Sequence, residues 1–122
     1  MQTEFTEDQE KFREVVARFM QAKSPPHEVR RLMATEGGYD SKVWQQMSGE
    51  IGLTGVHLPE EFGGFGYGPV ELGIVSEEMG RFLYCGPFFA SSVMAGYALL
   101  LAGSDSVKQS LLTEVASGRV IT

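Results

Sequence analysis

Residues 6–20, Thr6-Glu7-Asp8-Gln9-Glu10-Lys11-Phe12-Arg13-Glu14-Val15-Val16-Ala17-Arg18-Phe19-Met20, decide the class of fold. Thr6 and Gln9 form a capping box, in which a hydroxyl and a side-chain amide satisfy orphan backbone donors at a helix start. Phe12, Val15, Val16, Phe19 and Met20 recur at i, i+3, i+4, i+7 and i+8, while Glu10, Lys11, Arg13, Glu14 and Arg18 fall on other faces. The spacing predicts one amphipathic helix of about four turns. Ser24-Pro25-Pro26 stops it, because proline lacks the donor a helix interior needs and biases the residue before it away from helix.

Outward from this helix the same period returns. A short helix is predicted from His27 to about Ala34, and Gly37-Gly38 breaks it. Asp40 caps a third, with Val43, Trp44, Met47 and Ile51 inward and Gly52 at a left-handed C-terminal cap. From Leu53 to Gly68 the period disappears, and four of the last six positions are glycine, so this is a loop. Pro69 opens a fourth helix at the position where its missing N–H costs nothing. Val70 and Ile74 mark its turns and Arg81 closes it near the negative end of the dipole. Pro87 starts a fifth through about Leu101, ended by Gly103. Ser104 caps a sixth, with Val107, Leu111, Leu112 and Val115 inward and Gly118 at its stop. Only Arg119-Val120-Ile121-Thr122 hints at a strand. The class is all-α, about six helices in one domain spanning 1–122.

Composition narrows the function. The 122 residues are 43% apolar and 21% charged, ordinary for a globular chain. A net charge of -6 disfavours nucleic acid as a partner. One cysteine, Cys85, supports neither an internal disulfide nor a cysteine-rich metal site and fits a reducing cytoplasm. The acidic start is unlike a signal peptide, and the apolar run Val93 to Ala102 is too short to span a bilayer, so no membrane partner is expected.

The fifth helix carries an excess of apolar surface. Phe88, Phe89, Val93, Met94, Tyr97, Leu99, Leu100 and Leu101 surround its circumference, with no charge from Pro87 to Gly103. At roughly 1.5–3 kcal/mol per large side chain, leaving half of them exposed forgoes about 6–12 kcal/mol, comparable to the whole ~5–15 kcal/mol of a domain. A central position in the bundle is the plain explanation; a missing layer or an apolar ligand is the sharper one. Ala90, Ser91, Ala95 and Gly96 remove volume, which suits close helix packing or the wall of a slot.

Several motifs fail on inspection. Gly63-Gly64-Phe65-Gly66-Tyr67-Gly68 lacks the lysine of a P-loop and the third glycine and preceding strand of a dinucleotide fingerprint. His27 and His57 have no ligand-spaced partners, so no metal is assigned. Glu60-Glu61 and Glu77-Glu78 are adjacent rather than facing pairs and read as solvated charge. Cys85 reads as a small inert side chain and Trp44 as core.

What remains specific is the order of elements. Gly52-Leu53-Thr54-Gly55-Val56-His57-Leu58-Pro59-Glu60-Glu61-Phe62-Gly63-Gly64-Phe65-Gly66, followed by Glu77-Glu78-Met79-Gly80-Arg81, resembles the N-terminal helical domain of the acyl-CoA dehydrogenase family. The capped first helix, Trp44 and the ending Ala116-Ser117-Gly118-Arg119 are also similar, so the resemblance runs from about Thr6 to Thr122. Phe82-Leu83-Tyr84-Cys85-Gly86-Pro87-Phe88-Phe89 resembles a bacterial branch of the family.

The resemblance implies a three-domain FAD-dependent enzyme that dehydrogenates an acyl-CoA thioester at Cα and Cβ. This chain would cover the first domain alone, with the middle β domain and the C-terminal helical domain absent. On that footing the chain alone should be inactive and hold no flavin, with no catalytic or cofactor-binding residue of its own. Its expected share is part of the acyl-chain pocket, at Pro87, Ala90, Ser91 and Met94, which lie at spacings of three, four and seven. Exposed apolar surface would favour self-association. The alternative is a stand-alone helical binding or interaction module without redox activity.

Overall fold

The computed structural model describes residues 4–119, and among these there is helix and no strand. The elements are α1 (Glu7–Lys23), α2 (Pro26–Met33), α3 (Ser41–Gly49), α4 (Pro69–Arg81), α5 (88–102) and α6 (105–116), with single 3-10 turns at Leu53–Gly55 and Glu60–Phe62. Of the predicted strand only Arg119 is described, in no element; Val120, Ile121 and Thr122 lie outside the described residues.

The caps form as their chemistry dictates. Gln9 N–H donates to Thr6 Oγ1 at 3.1 Å, and Thr6 N–H donates to Gln9 Oε1 at 2.9 Å. Asp40 Oδ1 accepts from the Lys42 and Val43 amides at 2.9 and 3.2 Å, and these bonds hold its carboxyl below the usual carboxylate range. Gly52 is left-handed at φ 63°. The second helix begins at Pro26, one residue before the expected start, since proline is at home in a first turn.

One core forms where α1 lies along α4. Val16 and Met20 from α1 meet Trp44 and Met47 from α3 and Val75 and Met79 from α4. A second gathers Leu58 and Phe62 from the loop with Leu112 and Val115 from α6. Trp44 Nε1–H donates to the Gly118 carbonyl and Thr54 Oγ1 donates to the Ala116 carbonyl at 2.9 Å, tying the end of α6 to α3 and the loop.

Four expectations need correcting. Val15 is 44% exposed, so the buried stripe of α1 is Val16 and Met20 with Phe12 and Phe19 partly covered. Val70 is half exposed, because the buried face of α4 runs through Leu72, Ile74, Val75 and Met79 instead. Val107 is likewise outward, in the first turn of a helix whose inward residues begin lower down, at Leu112 and Val115. Glu78 is not solvated: it is 1% exposed, with Oε1 accepting from Arg13 Nη1 at 2.9 Å and Oε2 3.5 Å from Arg81. A buried carboxylate needs a cation across the interface, and Arg13 on α1 supplies it while also reaching Glu77 at 3.2 Å.

The fifth helix departs most. Phe88–Ala95 is π-helical and Gly96–Ala102 is α-helical, and α6 repeats the pattern with π turns over Lys108–Leu112. An i→i+5 ladder widens the turn, so side-chain faces drift from those an α-helical period assigns.

Candidate functional site

The candidate site grows from the reversal between α4 and α5. Leu83 stands at φ 53°, an uncommon conformation for a branched residue, and it folds the chain back so that Tyr84-Cys85-Gly86 delivers α5 beside α4. Gly86 leaves room for the Tyr84 ring, which a Cβ there would approach to 2.5 Å. The junction leaves an open cleft of about 340 Å³, lined by Ser76, Met79, Gly80, Leu83, Tyr84, Gly86, Phe88 and Phe89. Burial pushes the Tyr84 phenol well up, so it stays protonated. On the far side of Leu83 a second groove of about 440 Å³ runs over Pro26, Val29, Met33 and Phe82 between Arg30 and Arg81.

From the cleft an apolar face continues along α5. Phe89 is 67% exposed, Met94 58% and Leu101 82%, with Ala90 and Ala98 also outward. The helix is thus covered on one side and open on the other, so the central-helix reading is replaced by a half-covered one. Phe88 shows the division: it is buried in the first core while its neighbour Phe89 faces out.

The four positions expected to touch substrate divide accordingly. Ala90 and Met94 lie on the outward face with Phe89. Pro87 is half-buried at the helix start. Ser91 is fully buried, its hydroxyl 3.5 Å from the Arg119 carbonyl. Ser91 is thus parted from Ala90 and Met94, and the stretch is π-helical, where spacings of three, four and seven no longer share a side as they do in an α-helix. Phe89 and Leu83 join the site although neither is among those four positions. Adjacent aromatics 88 and 89 are the available signal, because neighbours on a helix point in different directions.

The glycine loop provides no phosphate cradle. Five successive amides, Gly63 to Tyr67, donate to the carbonyls of Glu60, Pro59, Gly55, Leu58 and Val56 at 2.8–3.1 Å. Gly64 packs so tightly that a Cβ would sit 2.1 Å from the Leu58 carbonyl oxygen. These residues do not fit a flavin diphosphate, which needs free donors. Among the described residues no group of three His, Cys, Asp or Glu is placed to hold a metal, and no helix is long and apolar enough to cross a membrane.

Among the described residues the helical unit thus combines loop amides bonded internally with an open apolar face on α5. The family is plain from comparison. The family model for the acyl-CoA dehydrogenase N-terminal domain matches residues 6–119, and the chain belongs to the acyl-CoA dehydrogenase family as that domain. It is 34% identical over 115 residues to the acyl-CoA dehydrogenase IpdE2 of Mycobacterium tuberculosis, covering 94% of this chain and 35% of that protein. It is 32% identical over 125 residues to the probable acyl-CoA dehydrogenase YngJ of Bacillus subtilis, covering 99% of this chain and 32% of the relative. The ChsE4-ChsE5 complex from Mycobacterium tuberculosis superposes with a TM-score of 0.87 at 28% identity, over 98% of this chain and 32% of that one. The chain therefore spans about a third of the length of these relatives.

Proposed function

We propose that the chain is the N-terminal wall of the acyl-chain pocket in an FAD-dependent acyl-CoA dehydrogenase, acting with a middle β domain and a C-terminal helical domain. The observation that carries this reading is the open face of α5 at Phe89, Ala90 and Met94, continuous with the 340 Å³ cleft through Phe89. The hydrocarbon of an acyl-CoA covers such a face without asking it for a hydrogen bond. Pro87 and Ser91 set the back of this wall and Ala90 and Met94 its surface, so their size limits the length or bulk of the acyl group.

A flavin held by the other domains would supply the hydride-accepting chemistry of the parent reaction. This chain's residues bind and orient the acyl group and exclude water from it. The family resemblance assigns the proton-abstracting carboxylate to the C-terminal domain, and Glu78 of this chain is held by Arg13. The domain spans 1–122, the setting is cytoplasmic fatty-acyl β-oxidation, and the chain by itself is inactive and flavin-free.

Titration of methyl-labelled chain with decanoyl-CoA tests the reading. Met94 is expected to shift while the remote Met33 stays in place, and free CoA is expected to do neither. A uniform response, or none at Met94, sinks the proposal and favours a stand-alone interaction module. Stoichiometric FAD in the purified 122-residue chain would overturn the assignment of the flavin to other domains.

A further inference from the structure

The π-to-α transition of α5 is held by a contact that the pocket reading does not use. His57 is 6% exposed, and its Nε2 lies 2.8 Å from the Ser92 carbonyl oxygen. A carbonyl only accepts, so Nε2 carries the proton and Nδ1 is the bare nitrogen. Nδ1 is buried with no partner, as is the Ser92 hydroxyl. The imidazole meets the Tyr97 ring at 4.9 Å between centroids. Gly96, the first residue after the π turns, leaves the room: a Cβ there would lie 3.2 Å from Nε2. Ser92, Gly96 and Tyr97 thus all turn toward one side chain where the helix changes its ladder.

We propose that His57 is a positioning residue: its bond to the Ser92 carbonyl fixes the π turns of α5 and so sets how Phe89, Ala90 and Met94 are spaced on the outward face. The inference rests on the acyl-wall reading for its meaning but not for its test. His57 reaches across from the loop whose amides 63–67 are all bonded internally, so it bears on α5 from a rigid base. Without this bond the Ser92 carbonyl loses a buried donor, and a relaxed i→i+4 ladder rotates residues 88–95 relative to Gly96.

Protonation falls on Nδ1 and leaves the Nε2–H bond to the Ser92 carbonyl in place, so the contact is held in both states of the ring. From α5 the titratable group facing His57 is Tyr97. The chain neighbour of His57, Leu58, packs on the apolar Leu112 and Val115 of α6, and Glu60 and Glu61 of its own loop are exposed. A proton on Nδ1 would create a buried charge and a donor with no acceptor. Burial accordingly lowers the His57 pKa below 6.5, the Ser92 bond opposing in part.

The experiment is methionine-methyl and imidazole NMR on the whole chain at neutral pH, with His57→Gln and His57→Leu. Glutamine keeps an amide donor at similar reach; leucine keeps bulk alone. In the wild type the imidazole is expected as the Nε2–H tautomer. His57→Gln should leave Met94 at its wild-type position and His57→Leu should displace it, Met33 staying in place in both. An Nδ1–H tautomer overturns the proposal, as does equal displacement by glutamine and leucine or none by leucine. None of these readings requires a ligand, so failure here is separate from failure of decanoyl-CoA to perturb Met94.

Discussion

Replacing Gly64 by alanine attacks the loop at its tightest point. The new Cβ would lie 2.1 Å from the Leu58 oxygen and 2.6 Å from the Gly55 oxygen, and neither is the flexible end of a side chain. Both carbonyls are acceptors in the loop's own ladder, Gly55 for Phe65 N–H at 3.1 Å and Leu58 for Gly66 N–H at 2.8 Å. Relief of the clash therefore breaks at least these two bonds. Each is worth about 1 kcal/mol net, and about 1–3 kcal/mol when a buried group is left unpaired, so Gly64→Ala should cost about 2–6 kcal/mol. Gly73 is the internal control, lying mid-helix in α4 with no atom within 4 Å of the place a Cβ would take. Gly73→Ala should stabilise by about 0.5–1 kcal/mol. Urea unfolding followed by Trp44 fluorescence reads both, since that indole is 1% exposed. If Gly64→Ala lies within about 0.5 kcal/mol of wild type, the glycines are not there for backbone packing, and the case against a ligand cradle loses its main support.

Other perturbations read the remaining elements. Glu78→Gln keeps shape but discharges the partner of Arg13; a loss of about 1.5–3 kcal/mol is expected in urea unfolding, the retained Glu77 contact at 3.2 Å limiting it. Asp40→Ala removes the α3 cap and should cost about 0.5–2 kcal/mol, with Asp40→Asn nearly neutral at pH 7. Because the folded-state pKa of Asp40 is depressed below 3.8, its contribution is full above that value and fades as pH falls through the folded one. For His57 the unfolded chain binds the extra proton first, so wild-type stability is greatest above pH 6.5 and declines below it until the folded-state pKa is passed. His57→Gln should remove that part of the decline in thermal melts across that pH range. Leu101→Lys, at a site 82% exposed, should leave the melting temperature unchanged and reduce hydrophobic-dye binding and self-association measured by light scattering.

The parts of the fold legible in the sequence were those governed by local chemistry. Thr6 with Gln9, Asp40 before Val43 and proline at the start of α4 act within one turn, and the period-3.6 stripe of α1 needs no knowledge of its partner. Glu78 escaped because its partner Arg13 is 65 residues away; adjacent glutamates announce charge but not which of them a distant cation will bury. The π turns of α5 escaped for a related reason. A run with hydrophobics on every side has no amphipathic phase to read, so an added residue per turn leaves no trace in the pattern, and an α-helical spacing applied to Pro87, Ala90, Ser91 and Met94 places Ser91 beside residues from which the structure parts it. The uniform apolarity that hides the phase fits the proposed function, in which one side of the helix faces the core of its own domain and the other an acyl chain. On that reading Phe88 and Phe89, indistinguishable by type, part company at 4% and 67% exposure, and the open half is the half to which the acyl group is assigned.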